Sequence, residues 1–380
     1  MIYLPALTSI RGILALYVVF YHFSDYFPVV RPAIQSVTHL LDYGYLAVDF
    51  FFLLSGFILA FVYHNKLAAL KTMAGFFKFM TSRFARIYPL HFSVLLFLLT
   101  IESFKWAGIF PVGSQTPFTG SASVSAAVSN LFLLHSMGTH SILTWNGPSW
   151  SISAEWFAYL AFPLIAGLFL NSQTRQSVLY FVLFMAVLPL IAFLTGHSSL
   201  DITYDYGFLR CLPEFSAGIV LYRLYQLKIG SSLLATNQFL SVLVIFTLFL
   251  MHVGVIDWAL IPFFGLSILS LAHNDTVIEK GGLSQILGLK PFHFIGEISY
   301  SIYLTHMAVF VVCFKLFAKL THTNPADLSL NSALFVCVLM TGIIIFISTL
   351  TYRCIEAPLR KMIVTYFSSV RQKYFNPRHS

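Results

Sequence analysis

Long apolar runs dominate the chain, and short polar stretches punctuate them. A membrane-spanning helix needs about 20 mostly apolar residues. Runs near that length fall at 4–24, 43–63, 87–105, 150–170, 177–195, 207–226, 237–253, 256–272, 292–317 and 331–352. The pattern predicts an all-α polytopic membrane protein with about ten transmembrane helices. The stretch 121–136, "SASVSAAVSNLFLLHS", is short, rich in small residues and half polar. It reads as an interfacial or re-entrant helix on the outer side. No fixed-period repeat, flexible linker or long polar domain interrupts the series. Residues 1–360 therefore read as one transmembrane domain and 361–380 as a short basic cytoplasmic tail.

Composition agrees with the periodicity. Of 380 residues, 58% are hydrophobic and only 9% are charged, where a soluble domain carries about a quarter charged. Arg11 interrupts the start of the first apolar run, and no convincing small-residue cleavage site follows it, so the run reads as a retained anchor. The cysteines, Cys211, Cys313, Cys337 and Cys354, are scattered. They suggest neither a disulfide framework nor a metal site. The net charge of +8 fits basic cytoplasmic loops, and no basic-aromatic module points to nucleic acid.

The distribution of lysine and arginine sets the expected orientation. Lys66, Lys71, Lys78, Arg83 and Arg86 crowd the loop after the second run, and Arg353, Arg360, Lys361, Arg371, Lys373 and Arg378 crowd the C-terminus. The segments 106–149 and 195–207 have neither residue. Ten spans would then place both termini in the cytoplasm. Lys315 and Lys319, near the outer end of the ninth run, depart from this alternation and would have to snorkel to the interface.

Ionisable residues inside spans usually face the bundle interior and mark function. Arg11 and His22 are eleven residues apart, three helical turns, so they share one face and stand about 16 Å apart along the axis. Each could instead be a solvated residue at its own interface. Asp49, Phe52 and Gly56 share a face of the second helix, with Asp49 a possible partner of the first helix; Ser55 and Gly56 suit close packing. Arg83 and Arg86, one turn apart, could grip one phosphate, helped by a helix N-terminus at the start of the third span. The positive-inside bias also accounts for their charge, though not for their pairing. Glu155 enters the fourth span between Trp150 and Trp156; the tryptophans fit an aromatic belt, but the carboxylate calls for an Arg or His partner. Arg210 and Glu214 at i, i+4 suggest a local ion pair. Ser299, Tyr303 and His306 form a further polar stripe, and "RCIEAPLRK" at 353–361 reads as a structural cap with charge pairing.

Taken in order, "LTSIRGILALYVVFYHF", "VDFFFLLSGFIL", "RFARIYPLH", "PSWSISAEWFAYLAFPL", "FLRCLPEFSAGIVLY", "IGEISYSIYLTH" and "YRCIEAPLRK" resemble the acyltransferase-3 family of integral membrane O-acyltransferases, across residues 7 to about 361. Arg11 and His22 match the family's pattern of a basic residue, ten residues, then a histidine. Arg83 and Arg86 match its RxxR pair, and Glu155 its W-S-x-S-x-E-W glutamate. The resemblance implies transfer of an acyl group, typically acetyl, from cytoplasmic acyl-CoA to a hydroxyl of a surface glycan or lipid-linked sugar, at a bacterial inner membrane. The C-terminal esterase-like domain of some members is not expected here, and direct transfer from the membrane domain is. On this reading His22, Arg11 and Glu155 are catalytic, Arg83 and Arg86 bind the CoA phosphates, and Asp49, Tyr303 and His306 line a polar tunnel. His22 would serve as general base or acyl carrier, its tautomer fixed by Asp49 or Glu155. No metal is implied. A transporter or flippase is the competing class, since it too would have many spans and intramembrane charges.

Overall fold

The computed structural model describes residues 4–110, 116–275 and 282–375. Among these residues all regular structure is helical. The principal helices are α1 (Pro5–Tyr26), α2 (Ala47–Tyr63), α3 (Met73–Trp106), α4 (Val124–Leu131), α5 (Trp150–Phe169), α6 (Thr174–Leu194) and α7 (Gly207–Gln226). They continue with α8 (Asn237–His252), α9 (Ile261–Asn274), α10 (Lys290–Glu297), α11 (Ser299–Thr321), α12 (Leu330–Thr351) and α13 (Ala357–Phe375). Every apolar run picked out above is helical over most of its length.

Seven helical stretches among the described residues are long and apolar enough to cross a membrane: Pro5–Tyr26, Leu40–Leu70, Met73–Trp106, Gly147–Phe169, Thr174–Leu194, Ser299–Thr321 and Leu330–Ser369. The other three expected spans are helices of a different kind. α8 has 16 residues and α9 has 14, and α7 carries Arg210, Glu214 and Arg223 within 20 residues. α7 is almost wholly buried by its neighbours, so protein rather than lipid receives its charges.

Three boundaries differ from the expectation. α3 begins at Met73, not at 87, because the Thr72 side chain caps it by accepting from the Gly75 amide at 3.1 Å. Its 34 residues rise about 51 Å, well beyond a hydrocarbon core of about 30 Å. Arg83 and Arg86 therefore lie inside the helix, and no helix N-terminus assists them. The ninth run is split: α10 ends at Glu297 and α11 starts at Ser299. At the C-terminus, a π-helical turn over Tyr352–Glu356 joins α12 to α13. The expected tail at 361–380 is thus helical through Phe375, and residues 376–380 lie outside the described residues.

Within a bilayer, helices associate through close van der Waals packing, and small residues permit it. α2 and α7 show this reciprocally. A Cβ on Gly56 would sit 1.9 Å from the Phe215 carbonyl oxygen, and one on Gly218 would sit 2.0 Å from that of Leu53. α1 meets α10 in the same way, through Gly12 and Gly296. The Asp275 carboxylate accepts from the Ala6 amide at 3.0 Å and so caps the start of α1.

The segment around α4, expected to be interfacial or re-entrant, packs against the long helices. The Tyr88 hydroxyl and the His91 Nε2, both near the middle of α3, donate to the carbonyls of Leu131 and Asn130 at 3.0 and 2.9 Å. The Ser153 hydroxyl of α5 donates to the Leu133 carbonyl at 2.6 Å. These bonds satisfy backbone groups that lipid could not. They hold the segment against α3 and α5, which both contribute to the cavity described next.

Candidate active site

Five helices converge on a cavity of about 160 Å³. Arg11 enters from α1; Phe51 and Ser55 from α2; Arg83 and Arg86 from α3; Ser151, Glu155 and Tyr159 from α5; Ser299, Tyr300 and Tyr303 from α11. Helical spacing explains the choice. Ser151, Glu155 and Tyr159 follow at i, i+4 and i+8 on one face of α5, and Arg83, Arg86 and Ile87 at i, i+3 and i+4 on one face of α3.

The polar groups of this cavity differ in how far they are satisfied. Arg86 makes an ion pair with the buried Glu356, whose other oxygen accepts from the Ser301 hydroxyl at 2.8 Å. The Arg86 guanidinium also lies 5.4 Å from the Tyr300 ring centroid. Arg83 donates to the Ser82 hydroxyl at 2.9 Å and lies over the Tyr159 ring at 5.9 Å. Its Nε is buried with no hydrogen-bond partner among the described residues, as is the Ser299 hydroxyl. Glu155 accepts from the Ser55 hydroxyl. The cavity thus gathers three guanidiniums, with Glu155 among them and Glu356 behind Arg86. Net positive charge and unused donors in a largely apolar wall suit an anionic group.

His22 does not line this cavity. Its Nδ1 lies 3.0 Å from an Asp25 carboxylate oxygen, and its ring stacks on His306 with centroids 5.3 Å apart and planes at 28°. The His22 side chain is 23% exposed and Asp25 50%. His306 is fully buried; its Nδ1 contacts the Ile302 carbonyl at 3.3 Å, and its Nε2 has no hydrogen-bond partner among the described residues. Tyr303 stands between the two places. Its hydroxyl bonds with Ser151 at 2.8 Å and donates to the Pro148 carbonyl at 3.0 Å, and its ring centroid lies 6.1 Å from that of His306. Arg11 and His22 share α1, as their spacing implied, but they serve two separate environments.

Several expected partnerships are replaced. Asp49 meets neither α1 nor His22. It is fully buried in a two-pronged ion pair with Arg210, one prong at 2.9 Å, so Arg210 does not form its local pair with Glu214. Neither Asp49 nor Glu155 fixes the His22 tautomer; Asp25 is the carboxylate in contact. Trp150 is buried against Phe52 and Arg210 rather than set in an interfacial belt. Gly56 is a packing residue as expected, whereas its neighbour Ser55 turns to Glu155. Asp25 and Tyr159 were missed. Asp25 had a signal, the i, i+3 spacing in "HFSD"; Tyr159 had none beyond lying one turn past Glu155.

The profile of the acyltransferase-3 family, described as an acyltransferase domain, matches residues 4–353. The chain belongs to the acyltransferase-3 family. Its fold is that of an all-α polytopic membrane protein. Acyltransferase MdmB of Streptomyces mycarofaciens is 34% identical over 165 residues, covering 42% of this chain and 38% of that protein. Protein 2 in picA locus of Rhizobium radiobacter is 33% identical over 157 residues, covering 40% of this chain and 72% of that protein. The chain thus spans under half the length of MdmB. No solved structure matches. The acyltransferase-3 match takes in the arginine cavity and the His22–His306 pair alike. Among the described residues no group of three or more His, Cys, Asp or Glu side chains is arranged to hold a metal ion.

Proposed function

We propose that the protein is an O-acyltransferase of a bacterial inner membrane, with both termini cytoplasmic. It takes an acyl group, acetyl in the first instance, from cytoplasmic acyl-CoA and passes it to a hydroxyl of a surface glycan or lipid-linked sugar. The observation that carries this reading is the convergence of Arg11, Arg83 and Arg86 with Glu155 on one cavity, on the helix face that leads three turns further to His22. Arg83 and Arg86 bind the phosphates of the donor, and Arg11 joins them as a third cation. The extended pantetheine arm is long enough to carry the thioester from there toward His22, past Tyr303.

At the His22 end the chemistry is acyl transfer. Neutral imidazole accepts the proton of the acceptor hydroxyl. The hydroxyl oxygen attacks the thioester carbonyl, the carbon–sulfur bond breaks, and the proton passes from the imidazolium to the departing CoA sulfur. A positioned base of this kind contributes about 10²–10⁴-fold. The partial exposure of His22 supports access by a bulky acceptor from that end of the bundle.

The test is to add acetyl-CoA to membranes containing the protein and measure release of free CoA thiol, alongside mass spectrometry of surface glycans and lipids from a deletion strain. Thiol release together with loss of an ester-linked acyl group in the deletion strain is the expected result. A transporter would release no thiol, and that outcome would sink the proposal.

A further inference from the structure

We propose that Asp25 is the positioning residue for His22, forming with it a carboxylate–imidazole dyad in which His22 Nε2 is the reacting nitrogen. The inference rests on the acyl-transfer reading above and names a residue that the reading does not supply. An ionised carboxylate can only accept a hydrogen bond. The proton of the 3.0 Å contact between His22 Nδ1 and Asp25 Oδ2 therefore sits on the nitrogen. In a neutral ring that leaves the lone pair on Nε2, which a base needs.

The rest of the local geometry fixes this arrangement. His306, fully buried, stacks on the His22 ring and sets its plane, while Asp25 sets its rotation about that plane. Asp25 is itself held. Its other oxygen, Oδ1, lies 3.7 Å from the Arg31 guanidinium. Arg31 is pinned in turn by two donations to the Ser24 hydroxyl, at 3.1 and 2.8 Å, and by the Tyr21 ring 5.1 Å below it.

Local helix energetics do not call for this carboxylate. Asp25 stands in the last turn of α1, which ends at Tyr26. There the helix dipole disfavours negative charge, and a half-exposed ion pair adds little to stability. An aspartate one turn past a histidine, at the disfavoured end of a helix, is better explained by what it does to the histidine. The division of labour matches the one by which a buried aspartate holds a catalytic histidine in its productive tautomer in serine hydrolases.

The experiment uses the full-length protein in membranes that contain its natural acceptor, with acetyl-CoA as the probe and thiol release as the readout, normalised to protein abundance. Wild type is compared with His22→Ala, Asp25→Asn, Asp25→Ser, Asp25→Glu and the double variant His22→Ala/Asp25→Asn. Asp25→Asn and Asp25→Ser should lower kcat by up to about 10⁴-fold, the loss seen when a triad aspartate is replaced, and by no more than His22→Ala does, with the KM for acetyl-CoA unchanged. Asp25→Glu should recover part of the loss, and the double variant should be no slower than His22→Ala alone. Wild-type kcat in both Asp25→Asn and Asp25→Ser, or a loss that multiplies with that of His22→Ala, would overturn the dyad while leaving the acyl-transfer reading intact. A wild type no faster than membranes lacking the protein would instead remove that reading, and the dyad with it.

Discussion

Two places in this bundle hold arginine and carboxylate inside packed helices, and they are built differently. Asp49 and Arg210 close on one another as a two-pronged pair, fully buried, with the guanidinium between the rings of Tyr45 and Trp150. Neither side chain lines the cavity. Arg11, Arg83 and Glu155, by contrast, face an open space, and among the described residues Arg86 is the one arginine lining it with an ion pair to a buried carboxylate. The first arrangement joins α2 to α7 where Gly56 and Gly218 bring the backbones together. The second leaves the buried Arg83 Nε without a hydrogen-bond partner among the described residues. Arg210 Nη1 and the neighbouring Glu214 carboxylate also lack hydrogen-bond partners among the described residues, so what separates the two places is the cavity: a charged residue inside a membrane bundle signals function less by its presence than by facing a space a ligand can enter.

The contrast predicts a graded series of effects. The largest should come from breaking the closed pair. Asp49→Ala strands a buried guanidinium and should cost about 3–5 kcal/mol, seen as failure to accumulate in the membrane or as a steep fall in thermal stability in detergent. If Asp49→Ala folds as stably as wild type, the closed pair is not the clamp described here. Next, Arg83→Ala should raise the KM for acyl-CoA about 10- to 100-fold, from the loss of charge-assisted bonds worth about 1.5–3 kcal/mol, and should leave melting nearly unchanged. Arg86→Ala should show a similar donor defect and also lose stability, because it abandons Glu356; equal melting of the two variants would erase the distinction drawn between them. Tyr303→Phe removes bonds to Ser151 and the Pro148 carbonyl and should cost about 1 kcal/mol, read by thermal denaturation. The smallest effect on stability belongs to Ser299→Ala, within about 0.5 kcal/mol, since its hydroxyl bonds to nothing among the described residues.

The sequence made much of this architecture legible, and the failures have physical causes. Apolar length located the helices, because lipid and protein interior both demand it. It misplaced the start of α3, where the amphipathic "GFFKFMTSRFARIY" continues the helix outside the apolar window back to the Thr72 cap. Helical spacing put Arg11 on the face of His22 and Arg83 beside Arg86, and the structure keeps both relations. Spacing along one helix does not say which neighbour a side chain meets. Arg210 passes over Glu214, its i+4 neighbour, for Asp49, because the glycine contacts bring α2 within reach. His22 likewise takes its carboxylate from its own helix, three residues on, rather than from α2 or α5. The pairing of Glu356 with Arg86, 270 positions away, was visible only as a general tendency of "RCIEAPLRK" to pair charge.

The most direct test of the account follows the acyl group itself. Membranes containing the protein receive acetyl-CoA labelled in the acetyl group, and label is counted in base-labile esters of the glycan and lipid fractions. Wild type should move label into one of those fractions, and His22→Ala at equal abundance should move it at least about 10²-fold more slowly. Transfer at the wild-type rate by His22→Ala would contradict the account at its centre.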